Sequence, residues 1–252
     1  MTTDALPPYR RAVLGMGTGN VDRDMLREAA EFARLLELDM LGVFIEDRSL
    51  IELAALPFAR ELRLPGHDWQ ALEPHRVGNE LRAAAEQARR LFRQEIESQG
   101  VACSFEVRSG NPAALASSVA QTTDVLIVME PLAVDMLAAG WELARRAALE
   151  SAAAVLLLPR SGMPRRGPVA AVAASPSDIC FQLASYIAKA AGEQAVAIPP
   201  EVSTQALLTS LNRVVGPHRE RLLVLPRKAA MYDEMNLEMA RLRQVPTLVV
   251  RL

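Results

Sequence analysis

Gly15-Met-Gly-Thr-Gly-Asn20 is the segment of this chain best suited to chemistry. Gly15, Gly17 and Gly19 alternate with Met16 and Thr18 after an apolar run, Ala12-Val-Leu14, and before an amphipathic stretch. A glycine turn between a strand and a helix lets backbone N–H groups approach a phosphate, because no Cβ stands in the way. The spacing, however, is Gly-x-Gly-x-Gly, and the sixth position is Asn20 instead of the glycine of a dinucleotide turn. Glu46 and Asp47, at the end of the next apolar run, could accept ribose hydroxyls. The competing reading is a flexible turn whose glycines surround an empty pocket, and short glycine motifs favour that reading.

Other reactive side chains converge less. His67, Asp68, Glu73 and His75 are metal-ligand types, but their spacing matches no compact ligand motif and Pro65-Gly66 marks a surface loop. No metal is expected. His218 stands alone beside Pro217, and no Gly-x-Ser-x-Gly elbow is present. Ser175-Pro-Ser-Asp178 reads as a helix cap, not as a nucleophile. Cys103 and Cys180 lie far apart in apolar contexts and read as small buried residues. Arg145-Arg146 should face solvent, while Trp141, Met231, Met235 and Met239 should pack cores or an interface. No catalytic residue emerges, so the chain reads as more a binder than an enzyme.

Bulk properties narrow the classes further. Lys plus Arg is 28 and Asp plus Glu is 30, a formal net charge of −2, which gives no basic excess for a nucleic-acid groove. No apolar run approaches a membrane span, and Met1–Pro8 lacks a basic-then-apolar leader pattern. A cytoplasmic protein without membrane or nucleic-acid partners is expected.

The elements that must position these residues follow from periodicity. Ala12–Gly15, Met40–Ile45, Val101–Val107, Val125–Met129 and Val155–Leu158 read as buried strands. Asp22 or Asp24 caps a helix with Leu26, Ala29, Ala30, Ala33 and Leu36 on one face. Leu50–Leu62 could form a short helix. A long helix is expected from Gly78, with Leu81, Ala85, Ala88, Phe92 and Ile96 inward and Gly100 as its stop. Asn111 caps a helix that opens on Pro112, and another runs from Asp135 to Glu150. Pro159–Pro168 reads as a linker.

The scheme then repeats in fewer residues. Val169–Ala173, Ala195–Ile198, Leu222–Leu225 and Thr247–Val250 are strands. Asp178–Ala191, a helix capped by Ser203, and Asp233–Arg243 are helices, the last with Met235, Met239 and Leu242 inward. The long helix and third strand have no counterpart. The organisation expected is a first domain over 1–160, a linker over 161–168 and a shortened copy over 169–252. The fold class is α/β, with two tandem Rossmann-like doubly wound parallel sheets.

Gly110-Asn-Pro before a helix, Thr123-Asp-Val-Leu-Ile-Val-Met129, and the closing Ala154-Val-Leu-Leu-Leu-Pro159 give a pattern that resembles the universal stress protein family. The match covers most of the first half and, more faintly, the second. The resemblance implies strand order 3-2-1-4-5 in each copy. It also implies copies paired through their final strands, here as an intramolecular pseudo-dimer, with a homodimer as a further option. In the family's ATP-binding branch, an Asp after the first strand holds adenine. A Gly-x-x-Gly after the fourth strand and a later Gly-Ser or Gly-Thr approach phosphate.

This chain departs at each point. Gly17 stands near the adenine Asp in the first half, and Ala174 or Ser175 in the second. Glu130 takes the place of the first phosphate glycine, where a carboxylate repels phosphate, and Pro131 follows. Gly140 survives near the later glycine position, but no hydroxyl follows it. Pro226-Arg-Lys-Ala-Ala230 has no glycine. Met129 alone matches the family at the end of the fourth strand. The expectation is a stress-associated, non-enzymatic protein that binds a protein or small-molecule partner, with no bound cofactor. The alternative is an ATP or AMP switch, with Gly15, Gly17, Thr18, Gly19, Met129 and Gly140 as its candidate contacts.

Overall fold

The computed structural model describes residues 9–17, 22–63, 66, 68–110, 121–129, 146–151, 154–159, 166–215, 220–227 and 230–251. The first half holds β1 (Arg11–Met16), α1 (Arg23–Leu35), β2 (Asp39–Asp47), α2 (Arg48–Ala54), β3 (Arg60–Arg63) and β4 (Asp68–Ala71). It continues with α3 (Pro74–Ser98), β5 (Cys103–Gly110), β6 (Asp124–Met129), a helical stretch at 146–150, and β7 (Ala154–Leu158). The second half holds β8 (Val169–Val172), α4 (Ile179–Ala191), β9 (Ala195–Ile198), α5 (Thr204–Val215), β10 (Leu222–Arg227), α6 (Ala230–Arg243) and β11 (Thr247–Arg251).

Nine strands form one sheet in the order β5-β2-β1-β6-β7-β11-β10-β8-β9. Setting aside the separate β3–β4 hairpin, the first half reads 3-2-1-4-5, with every neighbouring pair parallel. The second half keeps the same order without its third strand. The two join where β7 and β11 run antiparallel, with Leu156 opposite Leu248. The final strand of each half is therefore already paired within the chain.

Because crossover helices cover both faces, the strands are apolar runs rather than alternations. Alternate residues of the central strands feed different cores. Ala12 and Leu14 of β1, Ile127 of β6, Leu156 of β7, Leu248 of β11 and Val224 of β10 lie in one cluster spanning both halves. The same cluster takes the inner faces of α1, α3 and α4. The opposite face divides in two: Val13, Leu41 and Val155 pack with Leu149 and Leu237, while Ala170 and Leu223 pack with Leu207, Leu211 and Met239. Gly42 is required by packing. A Cβ there would sit 2.8 Å from Met16 Cε and 2.9 Å from Phe105 Cδ2. Gly192 ends α4 at φ 69°, a left-handed conformation that costs glycine nothing.

Ion pairs fix the helices. Asp22, the N-cap of α1, accepts from Asp24 N–H at 2.8 Å. Buried Glu95 of α3 accepts from Arg27 Nε at 2.8 Å and lies 3.8 Å from Arg23 Nε, tying α3 to α1. Glu31 of α1 pairs with buried Arg221 of the second half. Tyr9 is buried in the cluster shared by the halves, beside Cys180 of α4, and burial pushes its phenol up to about 12.

Four expectations need correction. Leu50–Leu62 is not one helix. Pro57 disfavours a helical Leu56, so α2 stops at Ala54, and Arg60–Arg63 instead pairs antiparallel with Asp68–Ala71. The long helix starts at Pro74, not Gly78, since proline is tolerated at the first helical position. Cys180 is buried but Cys103, on the edge strand β5, is half-buried. In α6, Met239 is buried and Met235 packs beside it, whereas Leu242 is exposed. That helix spans two clusters through Leu237 and Met239, and its last turn runs out to solvent. The expected helices at Asn111 and at Asp135, before residue 146, lie outside the described residues, as do Arg145, Trp141, His67 and His218 and the side chain of Met231.

Candidate functional site

In an open doubly wound sheet, ligands bind outside the carboxyl ends of the strands where the order reverses. In the first half that point lies between β1 and β6, and in the second between β8 and β10. The hydrogen-bond registers make the two points comparable. Arg11 lies opposite the first residue of β6, and Val169 opposite the first residue of β10. Gly15, Met16 and Gly17 therefore correspond to Ala173, Ala174 and Ser175. Met129 and Arg227 correspond as well, each closing the ladder to the final strand of its half.

The first point is described through the ends of β1, β2 and β6. Gly15 belongs to β1, opposite Val43, not to the turn that the glycine pattern suggests. A Cβ on Gly15 would make ordinary contact with Ile45 at 3.9 Å, and one on Gly17 would meet nothing within 4 Å. Packing therefore demands neither glycine. Glu46, the penultimate residue of β2, lies in register with Ser109 of β5 and accepts from its hydroxyl at 3.0 Å. Asp47 is committed to structure: it caps α2, accepting from Ser49 N–H at 2.9 Å and Ser49 Oγ at 2.7 Å. Met129 is half-buried against the shared core. Thr18, Gly19, Asn20, Glu130 and Gly140 lie outside the described residues.

The second point is filled by its own side chains. Asp178, the N-cap of α4, accepts from Phe181 and Gln182 N–H through its carbonyl, but its side chain makes no bond into the helix. Its Oδ2 instead turns back to accept from Ala174 N–H at 2.5 Å and Ser175 N–H at 3.2 Å. Ser175 and Ser177 hydroxyls share a hydrogen bond of 2.8 Å. The backbone donors that would face an anion here already hold a carboxylate. At the other side of the point, Arg227 Nε lies 3.3 Å from Asp233 Oδ1, and its Nη1 donates to the Ser151 carbonyl at 3.0 Å. That arginine crosses the end of β11 to reach the first half. Burial pushes the Asp233 carboxyl up, Arg227 opposes the shift, and Glu150 adds to it. Buried Asn236 donates to the Pro226 carbonyl at 3.2 Å.

Of two further conspicuous groups, one is structural and the other does not converge among the described residues. Asp124, which heads the fourth strand of the family pattern, sits at the opposite end of the sheet from the ligand point. There it holds Arg11 through contacts of 3.2 and 2.7 Å and accepts from Gln121 N–H at 2.9 Å. That bonding pushes the Arg11 pKa up. His75 contacts Asn79 at 3.1 Å, and Asp68 and Glu73 are exposed. Among the described residues, no group of three metal-ligating side chains converges, and no helix is long and apolar enough to cross a membrane.

Sequence reasoning overlooked three contacts. Ser109 lies beyond the expected end of its strand. The Asp178 turn-back reads in sequence as an ordinary cap. The Arg227–Asp233–Ser151 linkage carries no local signal, since Ser151 is 76 residues away from Arg227.

No family model matches the chain, and no curated protein does. Solved structures do. A functionally unknown protein, PA1789 of Pseudomonas aeruginosa PAO1, aligns over 99% of this chain and 95% of its own, with 13% identity and a TM-score of 0.53. A putative universal stress protein of Pseudomonas aeruginosa UCBPP-PA14 aligns over 98% and 94%, with 13% identity and a TM-score of 0.48. A universal stress protein in complex with cAMP aligns over 60% of this chain and 96% of its own, with 13% identity and a TM-score of 0.38. At such identities the likeness concerns the fold. Strand order and the full-length alignment with PA1789 together give a doubly wound α/β architecture carried twice in one chain, the second time without its third strand.

Proposed function

We propose that this chain is a non-enzymatic cytoplasmic binding protein of universal stress type, acting on a protein or small-molecule partner in a stress response. In this reading the ATP-cradling motif is degenerate in both halves. The observation that carries it is the turn after β8, the place of the adenine-holding Asp in the pattern that the chain resembles, where Asp178 instead occupies the N–H groups of Ala174 and Ser175. A second carboxylate, Glu130, stands in sequence where the first half would need a glycine. Glu130 in the sequence of the first half and the occupied turn of the second both weigh against ATP binding of the usual kind, which needs free backbone donors.

A second reading keeps a nucleotide, ATP or AMP, on the Gly15–Asn20 turn. It is favoured by the open space at Gly17 and by Glu46, whose carboxylate sits where ribose hydroxyls are held in doubly wound folds. One preparation separates the two. The purified protein is denatured and its released small molecules are identified by mass spectrometry. Thermal unfolding is then recorded with ATP, ADP, AMP and NAD at about millimolar concentration. No released nucleotide and no shift in Tm is the expected result. Co-purified ATP or AMP, or a shift abolished by Gly17→Val, would replace the first reading with the second.

A further inference from the structure

The insert between β2 and α3 departs from the doubly wound scheme and carries the most conspicuous apolar surface among the described residues. Eleven large hydrophobic residues are exposed among the described residues, and six of them, Leu50, Leu53, Leu56, Phe58, Leu62 and Trp69, fall within this insert. Phe58 is 76% exposed and Trp69 64% exposed. In soluble proteins aromatic residues exposed to this degree are commonly covered by something.

The hairpin geometry shows which way the surface faces. Leu62 lies opposite Trp69 in the β3–β4 register, so both side chains stand on the same hairpin face. Glu61, on the other face, is paired with Arg76 of α3. The Glu61 face is thus anchored to the body, and the Leu62–Trp69 face points away from it. A turn joins the hairpin directly to α2, with Ala59 N–H donating to the Leu56 carbonyl and Leu72 N–H to the Ala59 carbonyl. A two-stranded hairpin is marginal in water on its own, and here only one face is held.

Three observations select the occupant. First, the final strands are consumed inside the chain by the β7–β11 pairing, so two chains that associate must use another surface. Second, the rim carries both signs: exposed Arg48 and Glu52 flank the α2 leucines, and exposed Arg60 and Asp68 stand on the two faces of the hairpin. A rim of mixed sign suits a self-complementary two-fold contact, whereas an anionic membrane or nucleic acid would need a cationic rim. Third, two aromatics and four leucines at these exposures leave on the order of 600 Å² of apolar surface, close to the roughly 800 Å² each partner buries in a standard interface.

We propose that the α2 and β3–β4 insert is the surface through which a second copy of this chain docks, packing Phe58, Leu62 and Trp69 against their symmetry mates. Sedimentation velocity on the full chain tests this. At about 100 µM the wild type is expected at twice its 27.5 kDa mass, with Phe58→Glu and Trp69→Glu each weakening association at least about tenfold. Val202→Glu, at a residue 94% exposed elsewhere, should leave association unchanged. Far-UV circular dichroism checks that each variant is folded, and two independent variants guard against the loss of one. A monomeric wild type at that concentration, or dimers unaffected by both substitutions, overturns the proposal. So does flotation of the wild type with phosphatidylserine vesicles that Trp69→Glu abolishes, which would assign the face to a lipid surface.

Discussion

The turn after β1 and the turn after β8 occupy equivalent places in the two halves and differ in the residues that open and close them. The first begins with Gly17, has open space at its Cβ position and reaches its helix cap at Asp22. The second is shorter, and its cap, Asp178, folds back onto the N–H groups of Ala174 and Ser175. The fourth strands differ in the same sense: Met129 ends one in half-buried apolar packing, and Arg227 ends the other in an ion pair and a bond to the opposite half. The second half has turned its ligand end into a structural joint. Backbone donors can be withheld from a ligand in two ways, by removing them or by satisfying them internally, and the turn after β8 does the second.

Copying the first half's residue into the joint should give the largest effect. Arg227→Met leaves Asp233 without its cation and the Ser151 carbonyl without its donor, and both partners are mostly buried. A loss of about 3 kcal/mol is expected, because breaking one member of a buried pair strands the other. Urea unfolding measures it, and the double variant Arg227→Met with Asp233→Asn should recover part of the loss. Equal stability of Arg227→Met and wild type would mean that the halves are not joined there.

The next effect belongs to the other end of the sheet. Tyr9 precedes β1, and its counterpart before β8 is Gly167, so only the first half sends an aromatic side chain into the shared core at this place. Its phenol titrates at about 12 instead of 10 because burial disfavours the phenolate. The stability from this shift is complete below pH 10 and is lost as pH rises through about 12. Tyr9→Phe removes the group, so wild type should lose on the order of 2 kcal/mol relative to the variant across that interval. Parallel stability curves from pH 8 to 12 would show that Tyr9 is not buried as described.

How much of this asymmetry the sequence discloses depends on its range in the chain. Strand identity and order are legible because buried parallel strands are apolar runs, and Val125–Met129 or Thr247–Val250 read the same from either side. The hairpin is not legible, since Arg60–Arg63 and Asp68–Ala71 carry charges on exposed strands and offer no buried face for a pattern to mark. At the site, the missing glycines are visible residue by residue. What replaces them is not, because Asp178 looks identical in sequence whether it caps forward, as Asp22 does, or folds back.

Asp178→Ala tests that distinction and should cost about 1 kcal/mol, typical of a lost capping carboxylate on a partly exposed turn. It also uncovers the Ala174 and Ser175 donors. Phosphate at about 10 mM should then raise the Tm of the variant more than that of the wild type, since an anion can take the place of the carboxylate. An identical response of both proteins would mean that the turn never had the shape of an anion cradle.

The smallest expected effect decides whether the joint is held by charge or in spite of it. Burial raises the Asp233 carboxyl from its ordinary 3.8, and Arg227 only partly opposes the rise. An acid whose folded pKa is raised contributes stability that is complete below 3.8 and lost as pH rises through the folded value. Wild type should therefore gain on Asp233→Asn as the pH falls from about 6 to about 3, by less than about 1 kcal/mol. The opposite slope would mean that Arg227 outweighs burial and that the pair itself stabilises the joint. With the expected slope, the ionised carboxylate is a cost that the second half carries near neutral pH to keep Arg227 fixed on Ser151. The first half, with Met129 at the same position, has no such requirement.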